Sequence, residues 1–168
     1  DWAKNDIGAE KIDVVMAIEE KKSEMQVENF KKLKEKYGEK FGSMQYYIHP
    51  FGIPGEIVGV KGANINYAAR EYVKKLEKEG KDLSNYLLIT CDSDLRPHEK
   101  YLSAVTYQYL TVENPMHTFF TSAVHTFNNN IWSVPPLVRV FSSTTTLAVL
   151  YTWVFERSVK SIFTKEEY

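Results

Sequence analysis

The chain has 168 residues, 43% hydrophobic, 26% charged and 14% aromatic, the make-up of a folded domain with a core rather than of a disordered segment. Lysine plus arginine (21) nearly balance aspartate plus glutamate (22), so no basic excess points to nucleic acid or an anionic membrane surface. The single cysteine, Cys91, excludes an internal disulfide and fits a reducing compartment, and no signal peptide stands at the start.

Lys11 to Ile18 reads as a buried strand that stops at Glu19-Glu20. A helix follows from Ser23 to Tyr37, with Ser23 as N-cap and Gly38 as its stop. Its lysines, Lys31 to Lys36, are interleaved with Glu28, Glu35 and Glu39, which makes a solvated face rather than a binding patch. Met44 to His49 is a second, aromatic strand, and Pro50 to Gly59 is a loop rich in glycine and proline. Ile65, Ala68, Ala69, Tyr72, Val73 and Leu76 recur at helical spacing over a helix from Gly62 to Glu79, which Gly80 ends.

Tyr86 to Cys91 is expected to form the next buried strand, with Cys91 a packed core thiol. Pro97 is expected to open a helix carrying Tyr101, Leu102, Val105 and Tyr109. His117 to Val124 is compatible with a strand. Asn128-Asn129-Asn130 and Pro135-Pro136 break the chain around Ile131 and Trp132. Val140, Phe141, Leu147 and Tyr151, flanking the hydroxyl run Ser142 to Thr146, are compatible with a helix. The longest apolar run, Leu147 to Phe155, contains Thr152 and is about half the length a membrane-spanning helix needs, so this piece is expected to be soluble. There are no internal repeats. Strands and helices alternating at this spacing predict one α/β domain over residues 1–168, with a mainly parallel sheet flanked by helices. In such sheets ligands bind beyond the carboxyl ends of the strands, the edge that carries Glu19-Glu20 and Asp92/Asp94.

The stretch Leu87 to Asp94 is an apolar run that ends in two carboxylates one residue apart. In an extended segment residues two apart point the same way, so Asp92 and Asp94 can share one cation. All-oxygen ligands of this kind suit Mg²⁺ or Mn²⁺, completed by substrate phosphates. A plainer reading is a polar turn in which Asp94 caps the next helix.

Lys61-Gly62-Ala63-Asn64-Ile65-Asn66, opening a helix just ahead of this stretch, changes the balance. The order and spacing of the two motifs resemble the inverting family-2 glycosyltransferases of the GT-A fold, especially the cellulose-synthase-like and other processive members. The resemblance spans roughly Val14 to Val105 and weakens over residues 106–168. It implies a GT-A-like, truncated Rossmann-type sheet that binds a nucleotide-sugar with a divalent cation and transfers the sugar to an acceptor hydroxyl. Asp92 would contact ribose and metal, Asp94 would be the main metal ligand, and Glu19 stands nearest the family's base- or ribose-reading acid, usually Asp. Lys61 would add positive charge beside the phosphates at a helix N-terminus, and Asn64 or Asn66 would hydrogen-bond the nucleotide or brace the loop. UDP-sugars are favoured as donors over GDP-sugars; the acceptor would be a saccharide or a lipid, and no nucleic acid is involved.

The family's carboxylate base, usually in a Thr-Glu-Asp-like motif, has no counterpart here, for no Asp follows Asp94 and the later acids are Glu99, Glu113, Glu156, Glu166 and Glu167. The processive members' Gln-x-x-Arg-Trp motif is absent too. The resemblance therefore implies an excised donor-side piece of a larger enzyme, membrane-anchored and working at the cytoplasmic face. One alternative is a catalytically inactive nucleotide-binding or interaction module. Another is a haloacid-dehalogenase-type phosphatase with Asp92 as nucleophile, against which stands Arg96 where that family has Thr or Val. His98 is four residues past Asp94 but reads as a surface side chain; His49, His117 and His125 lack zinc-ligand spacing, and Arg139 reads as an ordinary surface arginine.

Overall fold

An apolar segment rich in β-branched residues, Asp13–Glu19 (β1), and an aromatic one, Ser43–His49 (β2), pair in parallel, with Asp13 opposite Ser43 and Glu19 opposite His49. The helix Ser23–Tyr37 (α1) connects them, as a parallel pair requires. The computed structural model describes residues 2–56, 60–93, 95–118, 120 and 131–154. Among these the chain is a mixed α/β protein with a two-stranded parallel sheet and four α-helices. It divides into two units that meet in sequence at Leu95 and Arg96.

In the first unit, strand alternation assigns each helix a face of the sheet. Phe30 of α1 meets Tyr46 of β2 edge to face, ring centroids 5.2 Å apart, so α1 covers the even-numbered side. The helix Lys61–Lys78 (α2) covers the odd-numbered side, where the Tyr72 hydroxyl lies 3.3 Å from Ser43 and the Tyr67 ring 5.0 Å from His49. Burial pushes the Tyr72 hydroxyl above the ordinary tyrosine range, while its bond with Ser43 acts in the opposite sense. Ile18 at 0% exposure, Phe30, Met44, Ala68 and Leu76 form the core of this sandwich.

The helix ends follow from local chemistry. Ser23 is already in helical geometry (φ −63°, ψ −42°), because a 3-10 turn over Glu20–Lys22 runs straight into α1; it is therefore not the expected N-cap. At the other end of α2 the Gly80 N–H donates to the Glu77 carbonyl and the Lys81 N–H to the Leu76 carbonyl, both at 3.0 Å. That Schellman closure needs a left-handed residue, and Gly80 supplies it at φ +68°.

Two expectations about residues 86–91 are corrected as well. Tyr86 to Cys91 does not join the sheet: Leu88 is 72% exposed and only Ile89 is half-buried. Apolar composition does not make a strand unless a free edge and a covering layer meet it. Cys91 is accordingly exposed rather than packed in the core.

In the second unit the helix Tyr101–Thr111 (α3) starts four residues after Pro97, not at it. The His98 Nδ1 accepts the Lys100 N–H at 3.1 Å, a local turn that delays the helix. The helix Pro136–Val154 (α4) confirms the pattern around the hydroxyl run, with Pro136 at its first position. No helix among the described residues is long and apolar enough to cross a membrane. Residue 119 and the stretch 121–130, which together include five of the eight residues of the possible strand His117 to Val124, lie outside the described residues.

Ile18→Ala should destabilise the first unit by about 3 kcal/mol, the cost of a cavity in a closed core. Gly80→Ala, which meets no neighbouring atom but must hold φ at +68°, should cost about 1 kcal/mol. Urea denaturation of the two variants checks both values and their order.

Candidate functional site

The direction of α2 decides what gathers at the sheet edge. Tyr67, in its second turn, stacks near His49 at the end of β2, whereas Tyr72, further along, meets Ser43 at the start of that strand. The N-terminus of α2, with its unpaired N–H groups and positive dipole end, therefore opens at the carboxyl edge of the strands.

Lys61 is the first residue of α2, and its Nζ forms an ion pair with Asp92 Oδ1 from the distant segment after Tyr86. Both side chains stay largely in solvent, at 59% and 62% exposure. An exposed pair of this kind contributes no more than about 1 kcal/mol to stability. Fold stability is therefore a weak reason for it, and either partner can be recruited by a ligand at small cost.

The described part of the loop after β2 is tied down at the carboxyl end of the strands. His49 Nε2 lies 2.7 Å from Glu56 Oε2 and the pair is mostly buried. The Phe51 N–H donates to the Glu20 carboxylate at 2.7 Å, and Lys21 Nζ sits 4.1 Å above the Phe51 ring. Glu19 is in register with His49 on the α2 side of the sheet. The expected acid at the first strand end thus stands at the same edge as the helix N-terminus.

The two asparagines separate clearly. Asn66 is exposed. Asn64 lies one turn before the buried Ala68 and is half-buried. Its Oδ1 is buried without a hydrogen-bond partner among the described residues. Leaving such an acceptor unpaired costs about 1–3 kcal/mol, which makes it a natural receiver for a ligand N–H or O–H.

Asp94 lies outside the described residues. Among the described residues no group of three or more His, Cys, Asp or Glu side chains gathers as a metal cage. Asp92, paired with Lys61, does offer an exposed carboxylate at the edge, an oxygen donor of the kind Mg²⁺ accepts when phosphates complete its shell. Cys91, next to it, has its thiol pKa raised, first by the chain crowding round the sulfur and then by the Asp92 carboxylate, with Lys61 acting oppositely.

No family model, curated protein or solved structure matches the chain.

The sequence does not single out the His49–Glu56–Tyr67 cluster, because His49 lacks zinc-ligand spacing and its partners are not its near neighbours in the chain. The local signal is a histidine ending an aromatic strand, then a Gly/Pro loop with a single acid. Cys91 reports on the ion pair beside it. Asp92→Asn should speed its alkylation at pH 8 about twofold by favouring the thiolate, and Lys61→Met should slow it by a similar factor. Rates with iodoacetamide measure both; equal rates in the three chains would contradict the placement of Asp92 and Lys61 around the thiol.

Proposed function

We propose that the carboxyl edge of the β1/β2 layer binds the diphosphate and nucleoside of a nucleotide-sugar, with the chain acting as the donor side of a GT-A-type inverting glycosyltransferase. The observation that carries this reading is the meeting of Lys61, at the head of α2, with Asp92, beyond the strand ends. A cation and a carboxylate of low mutual worth at a helix N-terminus match a ligand that brings both phosphate anions and a divalent ion.

In this reading the Lys61 ammonium turns from Asp92 to the diphosphate, beside the N–H groups of the first turn of α2. Asp92 is then released to the ribose and to Mg²⁺ or Mn²⁺, together with Asp94. Asp92 and Asp94 would hold the divalent ion, which would supply charge neutralisation for a diphosphate leaving group. Asn64 Oδ1 accepts from a base N–H or a ribose hydroxyl, and Glu19 reads the same nucleoside from the end of β1. Asn66, exposed, has no direct role. The family's acceptor-activating carboxylate has no candidate in residues 101–155, where Glu113 is the only acid, so donor binding is the activity assigned to this chain.

Calorimetric titration of UDP, with GDP alongside and with and without Mn²⁺, tests the reading. The expected result is metal-dependent binding, stronger for UDP. Lys61→Ala should weaken it roughly ten- to hundredfold, the worth of a charge-assisted contact, and Asp92→Ala should remove the metal dependence. Binding of neither nucleotide by a folded chain, or binding indifferent to Asp92→Ala, would overturn it and favour an interaction module.

A further inference from the structure

Helix α4 is built the wrong way round for water. Among the described side chains its inward side carries Thr146, at 4% exposure, with Arg139 and Ser142 half-buried at helical spacing. Its outward side carries Leu137, Val140, Phe141, Leu147 and Tyr151, each at 60% exposure or more. A helix facing water shows the opposite arrangement. Nor does the outward side hold a charge: from Glu113 to Glu156 the only charged residue is Arg139.

Four hydroxyls of α4 are bonded within the helix itself. Ser143 donates to the Arg139 carbonyl at 2.8 Å, Thr144 and Thr145 to the Phe141 carbonyl at 2.6 and 3.2 Å, and Thr146 to the Ser142 carbonyl at 3.0 Å. Four consecutive hydroxyls are thus satisfied within the helix, the condition a hydroxyl must meet in a hydrocarbon medium. At the N-terminal end the Arg139 guanidinium lies 5.1 Å from the Trp132 ring centroid, and its Nε donates to the Val134 carbonyl at 2.9 Å. Trp132 is 83% exposed. An exposed tryptophan coupled to the sole cation is the pairing found at the headgroup level of a bilayer.

We infer that α4 is a lipid-contacting helix that lies in the interface of a bilayer, its Leu137/Phe141/Leu147 side towards the acyl chains and Trp132 with Arg139 among the headgroups. Hydrophobic insertion drives the contact, since the helix offers one cation and no acid. This site is independent of the nucleotide edge and of its residues.

Flotation of the whole chain with neutral phosphatidylcholine vesicles, at low salt and at 0.5 M salt (roughly a 4 Å screening length), tests it. The chain should float in both conditions. Phe141→Glu combined with Leu147→Glu should lower the bound fraction about tenfold or more with unchanged helical circular dichroism, while Glu28→Gln on α1 changes nothing. In a chain keeping Trp132 alone, through Trp2→Phe and Trp153→Phe, emission should move to shorter wavelength on adding the same vesicles. No flotation, or flotation on anionic vesicles alone and lost in salt, would overturn the inference. So would self-association without lipid that the paired glutamates abolish, since the face would then belong to a second copy of the chain.

Discussion

Parallel pairing of β1 with β2 is the constraint from which the site follows. Because both strands run the same way, Glu19 and His49 end side by side, and the chain must return across the sheet before each new strand. The return after β2 is made through α2, which runs against the strands and brings its N-terminus to that same edge. Acids from strand ends, a helix dipole and Lys61 therefore converge without any side chain having to reach far. An antiparallel hairpin of the same two segments would scatter these groups to opposite ends of the layer.

The electrostatics of the edge point to exchange rather than to permanence. The His49–Glu56 pair is mostly buried and fixes the loop after β2, whereas Lys61 and Asp92 meet in solvent. A site that must admit a highly charged ligand and release it again gains from keeping its own charges paired but weakly held. The orphaned Asn64 oxygen adds a polar demand at the inner wall of the same edge. One rigid pair, one exchangeable pair and one unmet acceptor make up the division of labour in the proposed donor site.

Much of the first unit was legible in the sequence, because its signals are local. Helix α1 runs from Ser23 to Tyr37 as its periodicity and the following Gly38 indicate, and α2 and both strands sit within about two residues of their expected bounds. Tyr86 to Cys91 departs from its strand-like composition because strand formation is a tertiary event: apolar residues without a ladder partner remain outside the sheet and exposed. The meeting of Lys61 with Asp92 was implied only by motif order, since no local pattern encodes a long-range ion pair. The orientation of α4 was hidden for a similar reason. Its composition shows a helix, but that Thr146 faces inward and Phe141 outward depends on what packs against it. One further signal is legible: 35 of the 43 charged residues fall in the first 100, and between Lys100 and Glu156 only Glu113 and Arg139 are charged.

The most direct test of the central claim is to locate the metal and nucleotide on the chain. Amide spectra of the isotopically labelled protein, titrated with Mn²⁺ in the presence of UDP, would show which residues lie near the paramagnetic ion. The account predicts selective broadening at Asp92, at Lys61 and the first turn of α2, and at Glu19, with Tyr72 and Ser43 at the opposite edge unaffected. Broadening centred on any other part of the chain, or none with UDP present, would contradict it.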